Sequence, residues 1–118
     1  MTKEGELLAE VSNAVVAIFR ECYGRGPTKV KSYMVDDYVI TIMDDLLTTV
    51  EETLVKNGKE HLVREVRLTF QEAVSDRFIN AVQEVIGREV LTYHSQVTFH
   101  PARGFEIFVL KPLDEEND

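Results

Sequence analysis

One cysteine, three prolines, no tryptophan and no long apolar run narrow what this chain of 118 residues can be. Cys22 has no second thiol to pair with, so the fold cannot rely on an internal disulfide. Its place at the end of an apolar helical face reads as a buried, reduced thiol. No stretch reaches the roughly 18 apolar residues that a membrane-crossing helix requires. Met1 to Glu6 runs into a charged helix instead of an apolar secretory core, and the expectation is a cytoplasmic protein. Positive charge is scarce as well: 13 Lys plus Arg stand against 21 Asp plus Glu, a formal net charge of −8. That field opposes nucleic acid and anionic lipid. A GXXG loop between helices and the paired aromatic motifs of an RNA-recognition sheet are both missing, so no nucleic-acid partner is expected.

Chemical motifs are equally sparse. His61, His94 and His100 share no metal-ligand spacing with Cys22 or with the acidic residues. Gly24-Arg25-Gly26 follows a helix and precedes a strand, the reverse of a phosphate-binding loop. No serine lies in a nucleophile elbow, and Glu51 and Glu52, adjacent on a helix, diverge. No cofactor, metal or catalytic residue is expected from these patterns; an enzyme would need groups assembled through space.

What is there is apolar periodicity. With 44% apolar residues the chain can bury one core, which makes residues 1–111 a single domain followed by an acidic tail over residues 112–118. Leu7, Leu8, Val11, Ala14, Val15, Ile18, Phe19 and Cys22 recur at helical spacing, and Gly24, Gly26 and Pro27 stop that helix. Val30 to Val35 and Tyr38 to Met43 read as a hairpin turning at Asp36-Asp37. Asp44 or Asp45 is the expected cap of a helix running to about Asn57, with Leu47, Val50 and Leu54 inward. A stripe including Leu62, Val66, Phe70, Val74, Phe78 and Val82 predicts helix over residues 60–86, with Ser75-Asp76 leaving open one helix or two. Leu91, Tyr93, Val97 and Phe99 share the inner face of a second hairpin, which turns at His100 to Gly104 and returns through Phe105 to Leu110.

The order α-β-β-α-α-β-β predicts an α+β fold, a two-layer sandwich whose four-stranded antiparallel sheet carries the helices on one face. The second strand is apolar on both sides, which leaves an apolar outer sheet face and favours a homo-oligomer that covers it.

Two basic groups stand out against the acidic background. Tyr23, Arg25 and Lys29 lie in the junction after the first helix, and Arg64 and Arg67, three residues apart on a helix, can reach one anion or pair with Glu60. These five residues are the candidate partner-binding or anion-binding site. Their setting is similar to the MpsC-like family of small proteins, associated with a sodium-translocating, membrane-potential-generating system. The resemblance rests on Tyr23-Gly24-Arg25-Gly26-Pro27, on Leu46 or Leu47 with Thr48, Glu51 or Glu52 and Leu54, and on Arg64, Arg67 and Phe70. Val85-Ile86-Gly87-Arg88-Glu89-Val90 and Phe105 to Leu110 complete it, with Arg25 standing where a lysine is expected. It implies a soluble accessory or regulatory component beside membrane subunits that transport ions or handle inorganic carbon. Held by those membrane transport subunits, the chain would be peripheral to the membrane. A small-anion sensor is the alternative.

Overall fold

The computed structural model describes residues 2–113, so the tail expected from residue 112 lies outside the described residues beyond Leu113. Seven elements follow in the expected order: α1 (Lys3–Tyr23), β1 (Lys29–Val35), β2 (Tyr38–Asp44), α2 (Thr49–Lys56), α3 (Glu60–Ile86), β3 (Val90–Phe99) and β4 (Ala102–Leu110). The strands make one antiparallel sheet in the order β1-β2-β4-β3, and the helices cover one of its faces.

Local chemistry sets the element ends. Gly24, at φ 79, closes α1 in the left-handed region where an L side chain is strained. The start of α2 corrects the sequence reading: Thr48, not Asp44 or Asp45, is the N-cap. Thr48 and Glu51 form a reciprocal capping box, whereas Asp44 remains in β2 and Asp45, at φ 54, turns the chain out of the strand. Val50 consequently points outward, with 70% of its surface exposed. Helix α3 runs unbroken through Ser75, whose hydroxyl donates to the Glu72 carbonyl of the same helix.

The inward stripe of α3 keeps the expected Phe78 and Val82 but departs from the expected one in the first turns. Leu62 and Val66 are exposed, while Val63, Arg67, Phe78 and Val82 are buried. The stripe holds an arginine, and an apolar count skips that position. In β3 the expected Leu91 leaves the inner face. Val90 opposes Leu110 and Thr92 opposes Val109, so Leu91 is the extra residue of a bulge and is exposed, while Tyr93 keeps its inward place.

Six rings link the layers in sequence: Phe70 to Tyr23, Phe19, Phe78, Tyr93 and Phe108, with neighbouring centroids 4.9 to 5.6 Å apart. Around them the inner sheet face is apolar except for one transverse row. Ser32, Thr41, Glu106 and Ser95 are paired strand by strand across the whole sheet, and Ser12 of α1 reaches Ser32 at 2.8 Å. The outer face carries rows Val35-Tyr38-Val109-Thr92, Tyr33-Ile40-Ile107-His94 and Lys31-Ile42-Phe105-Gln96. It ends in Lys29-Asp44-Arg103-Thr98, where Arg103 Nε donates to Asp44 Oδ1 at 2.7 Å.

Gly104 lies on the inner face, and a Cβ there would stand 2.6 Å from Leu46 Cδ1. Leu46 is buried and fills the space of the missing side chain. Gly104→Ala is expected to cost about 1–3 kcal/mol through overpacking, read as a lower urea midpoint at unchanged slope. A midpoint equal to that of the unsubstituted chain would show that Leu46 yields without cost.

Candidate functional site

Between α1, α3 and the inner face of β3 and β4 lies a cavity of about 180 Å³, walled by Phe19, Tyr23, Leu46, Val74, Phe78 and Val97. Its polar lining includes Arg64, Arg67, Gln71, Ser95 and Glu106. Two of these groups, Arg67 and Glu106, are almost wholly buried, and each is held by a separate set of bonds.

Arg67 is 8% exposed. Its Nε donates to Glu51 Oε2 at 2.6 Å, and its Nη2 donates to Glu51 Oε1 at 2.7 Å and to the Leu46 carbonyl at 3.2 Å. The guanidinium also covers the Tyr23 ring, 4.3 Å from its centroid. Nη1 alone has no protein acceptor among the described residues, and it is not sealed from solvent. Glu51 serves two structures at once, because the Oε1 that meets Arg67 also accepts the Thr48 N–H of the capping box at 2.9 Å. Burial pushes the Glu51 carboxyl up, but the bonds from Arg67 and Thr48 outweigh it and hold the group below its usual range.

Glu106 is 1% exposed and has no guanidinium bonded to it. The hydroxyls of Tyr93 and Ser95 donate to its two oxygens. Burial raises its pKa to about 7, with the two hydroxyls and the charge of Arg67 opposing the shift. Burial also pushes the Tyr23 phenol up to about 12, against the charge of Arg67. The cavity thus joins an arginine that is paired with Glu51 and has one unengaged nitrogen, Nη1, to a carboxyl that changes charge near neutrality.

The five residues singled out in the sequence divide between two places. Tyr23, Arg64 and Arg67 line the cavity, and the Arg64 guanidinium lies 4.7 Å from the Phe99 ring centroid. Arg67 pairs with Glu51, not with the expected Glu60. Arg25 is elsewhere, its Nη1 donating to the Leu47 carbonyl at 2.8 Å and its Nη2 to the Asp45 carbonyl at 2.7 Å. It fastens the β2–α2 connection. Lys29 is exposed at the start of β1, opposite Asp44. The sequence reading missed Glu51, Tyr93, Ser95 and Glu106. For Glu106 the signal was present: it is the one charged residue between Gly104 and Phe108 on the inward positions of β4.

Fold and cavity together define a two-layer α+β structure with a charged pocket that opens to solvent beside the exposed Arg64 and Leu68. The chain belongs to the MpsC family, described as the Na+-translocating membrane potential-generating system (MpsC), and the match spans residues 3–112. No curated protein and no solved structure matches it. Among the described residues, no helix is long and apolar enough to cross a membrane, and no group of three or more His, Cys, Asp or Glu residues is arranged to hold a metal.

Proposed function

We propose that this chain is a noncatalytic, ligand-responsive accessory subunit of the membrane-potential-generating system for which its family is described. It works on the cytoplasmic side and is held at the membrane by protein contacts. The observation that carries this reading is the cavity. Buried Arg67 and Glu106 with aromatic walls form a place to bind and report, in a family described by ion translocation. Purified chain added to vesicles with and without the ion-translocating membrane subunits tests the association. Retention only on vesicles that carry the subunits is expected; equal retention on empty vesicles overturns the reading.

The outer sheet face supports a second copy as its cover. Four strands at about 4.8 Å spacing and four side-chain rows give a face of about 20 Å by 20 Å. That footprint, on the order of 400 Å² before side-chain relief, is about half of the roughly 800 Å² per partner of a standard interface. A two-fold axis parallel to the strands lays β1 on β3 of the second copy and β2 on β4. Ile40 then meets Ile107, Ile42 meets Phe105, and Asp44 of one copy meets Arg103 of the other. The face is therefore complementary to itself. The chain is expected to sediment as a dimer, and Ile40→Asp with Ile107→Asp as a folded monomer by far-UV circular dichroism. A monomeric parent chain at high micromolar concentration, or a dimeric variant, would reject the arrangement.

A further inference from the structure

The cavity offers one unengaged donor on a buried cation, mostly apolar walls and a second carboxyl that must not be charged when an anion enters. Each of these limits the ligand. A bare cation would meet only N–H donors on Arg67, whose charge Glu51 already balances. A bare anion such as phosphate would leave the aromatic walls unused. A cavity of about 150 Å³ is known to accept benzene, so the space of about 180 Å³ here suits a ring or a branched aliphatic body.

We propose that this cavity binds a small monocarboxylate with a compact apolar body, the carboxylate accepting from Arg67 Nη1 and the body lying against the wall formed by Phe19, Phe78 and Tyr93. The inference deepens the accessory-subunit reading and rests on it for biological meaning, although binding itself is a property of the isolated chain. Its second half is electrostatic. Two carboxylates in one buried site repel, so the ligand enters when Glu106 is protonated.

The groups facing Glu106 allow that exchange. Tyr93 and Ser95 of β3 donate to the ionised form, and on protonation either hydroxyl can turn to accept. Thr41 of β2 is its cross-strand neighbour and is already bonded to Ser32 at 2.8 Å. Arg67 of α3 and Tyr23 of α1 complete the charged and titratable surroundings, with Glu51 of α2 acting through Arg67. Arg67 keeps its charge throughout, and Glu106 alone changes state near neutrality. One proton is therefore taken up for each ligand bound above neutral pH.

Benzoate is the probe, because it stays ionised from pH 6 to pH 8 while Glu106, near 7, does not. Calorimetric titration of the full chain is expected to give saturable binding at pH 6 and about tenfold weaker binding at pH 8. Amide shifts are expected at Ser95, Gln96 and Gly104. Glu106→Gln, which keeps the size and hydrogen bonding of a neutral carboxyl, is expected to bind benzoate equally at both pH values. The proposal is overturned if benzoate fails to saturate at pH 6, if affinity in the parent chain ignores pH, or if benzylamine or inorganic phosphate binds at least as tightly. A chain that binds benzoate yet ignores the membrane subunits overturns the accessory reading alone. The converse result overturns only the ligand.

Discussion

Glu51→Ala is expected to lower the stability of this protein by about 3–5 kcal/mol, the range for breaking a buried ion pair by removing one partner. The loss is large because Arg67 cannot follow its partner into water. The residue is 8% exposed, and its guanidinium rests on the Tyr23 ring and still bonds the Leu46 carbonyl, so removing Glu51 leaves a largely buried positive charge without its partner. The same substitution opens the capping box, since Glu51 Oε1 accepts the Thr48 N–H. The neighbouring residue supplies the control. Glu52 meets Arg25 at 3.8 Å with both side chains partly exposed, and Glu52→Ala should change stability by less than about 1 kcal/mol. Urea unfolding at pH 7 measures both. Equal losses would mean that Arg67 is not held by Glu51. Glu51→Met combined with Arg67→Met should regain much of the loss, because it removes both charges and keeps the volume.

The layer order, the four strands and the helical face were legible in the sequence because apolar spacing is set by the same burial that builds the sheet. Val11, Val15 and Phe19 on α1, and Val39 and Met43 on β2, fall where alternation puts them. What the pattern could not carry was any polar side chain that belongs inside. Arg67 breaks the apolar stripe of α3, so apolar spacing alone points to Leu62 and Val66, which are exposed. Ser32, Thr41, Ser95 and Glu106 each look like an interruption in their own strand. Only the pairing register joins them into one row under the helices. The candidate site was half legible for the same reason: Tyr23, Arg64 and Arg67 stood out as basic or aromatic residues in an acidic chain. Glu51 is one of two adjacent acids on its helix, and Glu106 is marked only by its inward place on β4; neither shows its partner in the sequence.

The second large effect is on the pH dependence of stability, and the two buried carboxyls drive it in opposite directions. Glu106 is ordinary at 4.5 when the chain is unfolded and is raised to about 7 in the fold. Between those values the folded state holds a proton that the unfolded state has released, so stability falls as pH rises from 4.5 to 7 and levels off above. A shift of that size corresponds to a change on the order of 3 kcal/mol. Glu51 has the other sign. Its folded value is depressed, so its contribution is complete above the ordinary carboxyl range and is lost as pH drops through that lower value. The expected profile is therefore level above about pH 7, rises from there toward pH 5 and turns over in more acidic solution. Glu106→Gln isolates the first limb, because a neutral amide bonded to Tyr93 and Ser95 has no proton to lose. Its stability should stay level between pH 5 and pH 8 and exceed that of the parent chain at pH 8. A parent chain whose urea midpoints track those of Glu106→Gln across that range would place the Glu106 carboxylate in contact with water, and the proton-linked cavity would lose its physical basis.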